Sequence, residues 1–160
     1  MSPDDKFKTA LEIRNMEIKL FWDRSNFFLA LNTAVAVGFF SLADQSLTLP
    51  LAGLGLLASA LWFAANLGSK FWQARWEEKV IQVEKACAPD LSFFAEDYET
   101  IRKSVEENLM RQSPGRLTRL VIRMVLKKPS LSMLAIFLSL GFCTLWLLFI
   151  LQLLWRAIHG

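Results

Sequence analysis

Apolar residues gather into three long blocks along this chain, residues 27–43, 49–67 and 131–155, and none of them contains a charged side chain. The last block runs for 25 residues. As a helix it would rise about 37 Å, against a hydrocarbon core about 30 Å thick. Outside the blocks, apolar and charged positions recur at helical spacing. The pattern predicts an all-α, polytopic integral membrane protein with three transmembrane helices and a cytoplasmic helical region between spans two and three.

Local signals divide the chain further. Ser2, Pro3, Asp4 and Asp5 suit a helix start, with a capping hydroxyl, a proline at the first helical position and acids at the positive end. Phe7, Leu11, Ile18, Phe21 and Trp22 then form an apolar stripe. An amphipathic cytoplasmic helix is expected over 1–26, running through Arg24, Ser25 and Asn26 into the first span. A transmembrane hairpin follows over 27–67. Asp44, Gln45 and Ser46 make its turn, Pro50 suits the first turn of its second helix, and Gly53, Ala60 and Ala64 offer small surfaces for close packing.

The second helix is expected to continue past Gly68 to about Ala86 and to end by Pro89. A further helix over about 91–110, striped by Phe94, Tyr98, Ile101, Val105 and Leu109, would complete a cytoplasmic helical hairpin over 68–112. Ser113 and Pro114 open a basic amphipathic juxtamembrane helix over 113–130, and Pro129 and Ser130 turn the chain into the third transmembrane helix, 131–155.

Charge sets the expected orientation. Five basic residues precede the first block, none lies in the turn after it, twelve fall between the second and third blocks, and only Arg156 follows the third. Positive-inside bias puts the N-terminus and the middle segment in the cytoplasm and the C-terminus outside, across the cell inner membrane. Trp22, Trp72 and Trp155 lie at block ends and suit the headgroup boundary, whereas Trp62 and Trp146 lie inside blocks and suit packing. The first 25 residues carry charges throughout, so no cleaved signal peptide is expected and the first block would serve as the insertion signal.

Chemistry-bearing groups are sparse. His159 is the single histidine, and Cys87 and Cys143 are the only cysteines, so neither a histidine-based metal site nor a disulfide framework is expected. No glycine-rich phosphate loop is present. The acids Glu77, Glu78, Glu84, Glu96, Asp97, Glu99, Glu106 and Glu107 sit among basic neighbours and read as solvated faces and ion pairs. No catalytic residue, cofactor or metal is expected, and the chain is not expected to be an enzyme.

Two polar features remain. Asn32 and Thr33 stand inside the first block, where an amide needs a partner: a helix–helix hydrogen bond or, alternatively, a pore lining. Arg116, Arg119, Arg123 and Lys127 share one face of the basic helix, opposite Leu117, Leu120, Val121 and Met124. A basic amphipathic helix directly before a span suits anionic phospholipid headgroups. A partner stripe is the alternative, and no nucleic acid is expected.

Two stretches resemble a known family. Residues 24–33, RSNFFLALNT, resemble the start of the first membrane helix in the RipA family of bacterial octameric membrane proteins, through Arg24, Asn26, Phe28, Asn32 and Thr33. Residues 69–84, SKFWQARWEEKVIQVE, resemble the helix after its second span, through Lys79, Ile81 and Glu84. The similar region covers roughly residues 10–100, with the third span and the basic segment from Arg111 outside it. The resemblance implies an oligomer of a two-span unit with cytoplasmic helices and no catalytic centre. The function expected is that of a non-enzymatic homo-oligomeric membrane scaffold or effector, with a cytoplasmic partner protein as a further possibility. An oligomeric ion or solute channel is the alternative.

The basic helix yields a direct expectation. A peptide of residues 112–128 should bind anionic liposomes and gain helicity, and should lose both in high salt. Replacing Arg116, Arg119 and Arg123 by glutamate should abolish the binding, each basic residue being worth about 1 kcal/mol. Equal binding to neutral liposomes would defeat the electrostatic account.

Overall fold

The computed structural model describes residues 2–41, 45–87, 93–112, 116–127 and 130–159. Asp44, Pro89, Ser113, Pro114 and Pro129, to which the sequence assigns turns, caps and helix ends, lie outside the described residues. The elements are α1 (Pro3–Ser41), a 3₁₀ turn (Gln45–Leu47), α2 (Thr48–Cys87), α3 (Tyr98–Gln112), α4 (Arg116–Leu126) and α5 (Leu131–His159).

α1 begins on a reciprocal cap. The Asp5 N–H donates to Ser2 Oγ at 3.1 Å, and the Ser2 N–H donates to Asp5 Oδ2 at 3.0 Å. The Ser2 hydroxyl, then its N–H, hold the Asp5 carboxyl below its ordinary pKa. No proline and no glycine interrupts the helix from Asp4 to Val37, so it passes Arg24, Ser25 and Asn26 without a break. In α2, Pro50 occupies the first turn, where its missing N–H would have had no helical acceptor.

The chain divides into two compact units, Met1–Arg14 with Arg75–Ser130, and Asn15–Ala74 with Leu131–Gly160. The second unit is built from segments of α1, α2 and α5. Their inward positions are Phe21, Ser25, Phe28, Asn32, Val35 and Phe39 on α1, Ala52, Gly55, Ser59, Trp62, Asn66, Ser69 and Gln73 on α2, and Ser132, Ala135, Ser139, Phe142, Trp146, Phe149 and Leu153 on α5. On each helix the steps alternate between three and four. That is the 3.5-residue repeat of left-handed helix packing. α1 and α2 run antiparallel, pairing Ser25 with Asn66 and Asn32 with Ser59.

The small residues that permit close approach are not the expected ones. Gly53, Ala60 and Ala64 face outward, while Ala52, Gly55, Ala58 and Ser59 face inward. One residue turns a side chain by about 100°, enough to exchange the faces. At Gly55 a Cβ would run into the Trp146 indole, whereas at Gly53 it would meet nothing within 4 Å.

Among the described residues two helices, α2 and α5, are long and apolar enough to cross a membrane. This corrects the expected count of three spans to two. The described apolar part of α1 ends at Ser41. From Phe27 it is about 22 Å long, short of a 30 Å core. Extending it backward takes in Asn26 and Arg24, and Asn32 lies within it. Both spans carry an apolar exterior, including exposed Leu57, Leu61, Phe137, Leu148 and Leu151. Such surface suits lipid or another apolar helix.

In the first unit, α3 begins at Tyr98 and not near residue 91, because residues 93–95 form a turn. Phe94 anchors that turn, its ring edge-on to Phe7 with centroids 6.4 Å apart and the Arg14 guanidinium 5.5 Å from its centre. α3 packs on α4. Tyr98, Ile101 and Val105 of the apolar stripe are exposed within the chain.

The contrast between two glycines is testable. Gly55→Ala should lower thermal stability in detergent by about 1–3 kcal/mol through overpacking, while Gly53→Ala should be neutral or slightly stabilising. Equal effects at both positions would refute the assigned packing face.

Candidate functional site

The second unit holds two buried polar stations. At the first, Asn32 is fully buried. Its Oδ1 accepts from Ser59 Oγ at 2.6 Å and from Trp146 Nε1 at 3.1 Å, and its Nδ2 donates to the Phe28 carbonyl at 3.0 Å. Ser59 Oγ also lies 2.8 Å from the Gly55 carbonyl, so its single proton is shared between two acceptors. One amide thus binds α1 to both α2 and α5.

The second station lies two helical turns away, about 10 Å. Asn66 Oδ1 accepts from Ser25 Oγ at 3.1 Å, and Nδ2 donates to the Ala135 carbonyl at 3.1 Å and to Ser139 Oγ at 3.3 Å. This amide starts from α2 and again reaches both other helices. Beyond it, Arg24 Nη1 donates to Ser69 Oγ at 2.8 Å. On the other side of Asn32, an aromatic collar closes the seam. Phe39 stands edge-on to Trp146 with centroids 5.5 Å apart and stacks on Phe149 at 5.3 Å.

Thr33 is not brought to this seam. It is exposed, and its hydroxyl donates to the Leu29 carbonyl of its own helix at 2.8 Å. Of the basic face, Arg123 and Lys127 are exposed, while the side chains of Arg116 and Arg119 lie outside the description. Ile122 of α4 is buried, and Leu120 and Met124 are exposed apolar neighbours of Arg123. Trp62 and Trp146 are buried; Trp22, Trp72 and Trp155 are exposed.

Two participants escaped sequence reading. Asn66 stands in the second apolar block as Asn32 does in the first, and that parallel was the available signal. Glu84 was read as a solvated acid, yet it is buried. Its Oε1 accepts from the Phe93 N–H at 2.9 Å, and its Oε2 accepts from the N–H groups of Phe94 and Ala95 at 2.9 and 2.8 Å. The carboxylate satisfies the 93–95 turn and holds it to α2 within the first unit.

The chemistry open to the seam is limited. Its described hydrogen bonds join amides, hydroxyls, backbone carbonyls, an indole and, at Arg24, a guanidinium. Among the described residues no three of His, Cys, Asp and Glu stand together as a metal site. The arrangement positions helices.

A three-helix unit holding α5 as tightly as α1 and α2 is one structure rather than a two-span unit with an addition. The comparison with protein families agrees, because the model of the octameric membrane protein family matches residues 4–155. The chain belongs to that family, 8xMP. It is therefore a bacterial, all-helical, homo-oligomeric membrane protein. No curated protein and no solved structure matches the chain.

The 8xMP match corrects the RipA resemblance, which covered only residues 10–100 and left out the third apolar block and the basic segment. Both belong to the matched region. The physical reason is visible at Asn32 and Asn66, whose bonds to Trp146, Ala135 and Ser139 make α5 part of the common unit.

The first station predicts a coupling. Asn32→Leu should strand the Trp146 N–H and cost about 1–3 kcal/mol in detergent unfolding. In a Trp146→Phe background the same change should cost measurably less. Equal losses in both backgrounds would show that the bond contributes nothing.

Proposed function

We propose that this 8xMP member is a non-enzymatic scaffold or effector of the inner membrane, assembled from identical copies through its apolar exterior and its water-facing helices. The observation that carries the reading is where the intramembrane polar groups are used. Asn32, Ser59, Asn66 and Trp146 bond one another or their neighbours inside a single chain. The exposed hydroxyls Thr33 and Thr144 each donate to their own helix, to Leu29 and Leu140. Apart from the exposed amides Asn26 and Gln152, what remains outward is mostly apolar, suited to lipid or copy–copy packing and poor as the lining of a hydrated channel.

Orientation follows the charge asymmetry. With α2 and α5 as the two spans, Thr48 and Gly160 share one side and the cation-rich segment between the spans faces the other. That side is the cytoplasm on the positive-inside rule, with Gly160 outside. Arg116, Arg119, Arg123 and Lys127 then meet anionic phospholipid headgroups. The exposed Tyr98, Ile101 and Val105 of α3 offer apolar surface to another copy or to a cytoplasmic partner protein.

Native mass spectrometry of the detergent-purified protein, with planar-bilayer recording on the same preparation, tests the proposal. The expected result is a discrete homo-oligomer, eight copies on the family's description, without unitary conductance. Reproducible single-channel steps would replace the scaffold by a channel at the symmetry axis, and a monomer would refute assembly. An impermeant thiol reagent should leave Ser104→Cys unlabelled in intact cells of a strain expressing the chain without Cys87 and Cys143; labelling there would invert the orientation.

A further inference from the structure

We propose that the cleft where α1 and α5 end and α2 begins holds one anionic phospholipid, its phosphate on Arg156 and an alkyl chain along Leu49, Leu153 and Leu154. The cleft belongs to the second unit. Its volume is about 500 Å³, and it is lined by Phe39 of α1, Leu49 of α2, and Leu153, Leu154, Arg156 and Ala157 of α5, among others. Clefts that take small ligands run from about 300 to 1,000 Å³, so a stretch of alkyl chain fits.

The second observation is the charge. Arg156 is exposed, and its side chain forms no hydrogen bond or ion pair with any described residue. It is the only Lys or Arg between Lys128 and Gly160, and none lies between Arg24 and Lys70. One reachable cation therefore marks this end of the unit. Its neighbours in the cleft are apolar, with Leu49 and Leu154 exposed and Phe39 and Leu153 half-buried. An arginine stem lies along such surface while the guanidinium reaches the headgroup level.

The occupant must match a cation at the edge of an apolar cleft. An anionic phospholipid carries both halves, a phosphate and an alkyl chain, on one molecule, and the guanidinium fork fits phosphate oxygens. Depth agrees. Trp155, next to Arg156 in the chain, is exposed and stacks on His159 with centroids 3.9 Å apart. Tryptophans gather at the headgroup boundary. One carboxylate competes for the same cation: Asp44, between α1 and α2, which lies outside the described residues and which a neighbouring copy also carries.

Native mass spectrometry of the detergent-purified protein, with phosphatidylglycerol and phosphatidylcholine of the same acyl chains in equal amounts, tests the assignment. The wild-type protein should retain more phosphatidylglycerol, and Arg156→Gln should lower that preference about fivefold, the worth of one cation at an anionic headgroup. The basic residues of α4 belong to the other unit and are the same in both proteins, so the difference reports on Arg156. Ala157→Phe should reduce retention of both lipids, because its ring takes the place of the chain. An unchanged preference in Arg156→Gln overturns the proposal. If subunits are then lost, the cation serves a neighbouring copy; if Asp44→Asn destabilises the protein as much as Arg156→Gln does, that carboxylate is the partner. Unchanged retention of both lipids in Ala157→Phe also overturns the site, leaving a headgroup contact without a cleft.

Discussion

An amide buried where water cannot follow must find its partners in the protein, and that constraint organises the membrane unit of this chain. Asn32 receives donors from α2 and α5, and Asn66 bonds to α1 and α5. Each station touches all three helices, and the two stations lie two turns apart. Sliding any helix by one residue would break bonds at both stations together. Hydrogen bonds between membrane helices contribute little net energy on average, about 0.6 kcal/mol each, because the separated helices also find partners. Their larger effect here is to select one register among packings that apolar contact alone would leave nearly equal.

Size complementarity then follows from the register. Lipid tails are as apolar as leucine, so membrane helices gain by fitting closely rather than by leaving water. With Asn32 bonded to Trp146, the indole lies against Gly55, the only residue type that leaves room there. Ala52 and Val35 fill the same layer beside Phe39 and Phe149. The outward faces carry no such pairing, and they hold the flexible leucines.

Blocks two and three were legible as spans because length and apolarity are one-dimensional quantities. Block one shares their composition but is short, and Arg24, Asn26 and Asn32 weigh against it. The inward face was misjudged for a physical reason. Within an all-apolar helix hydrophobicity carries no angular information, so Gly53 and Gly55 look alike. The polar residues do carry it: Ser59, Asn66, Ser69 and Gln73 fall at steps of seven, three and four along α2 and mark the buried seam. Glu84 could not be found this way. Its partners are backbone N–H groups nine to eleven residues later, in a turn that only the tertiary fold creates. The same turn removes the first residues expected of α3 and leaves Tyr98 at its start.

On the proposed assembly, the two units would divide the work unequally. In the membrane, exchanging a lipid tail for a neighbour's leucine changes the free energy little, so the apolar exterior permits association without choosing a partner. The first unit stands under a different rule. Tyr98 and Ile101 on α3 and Leu120 and Met124 on α4 are exposed within one chain, and beside water each stays uncovered at a cost of roughly 25 cal/mol per Å² of apolar surface. Headgroups can cover the α4 residues, since Arg123 and Lys127 share that short helix segment. Nothing on α3 pairs cation with apolar stripe in that manner, because Glu99, Glu106 and Glu107 lie among its basic residues and repel an anionic surface. α3 is thus better matched to protein than to lipid. On that reading, discrimination between copies would fall to the helices of the first unit, while the polar seam fixes the packing of α1, α2 and α5 within each copy.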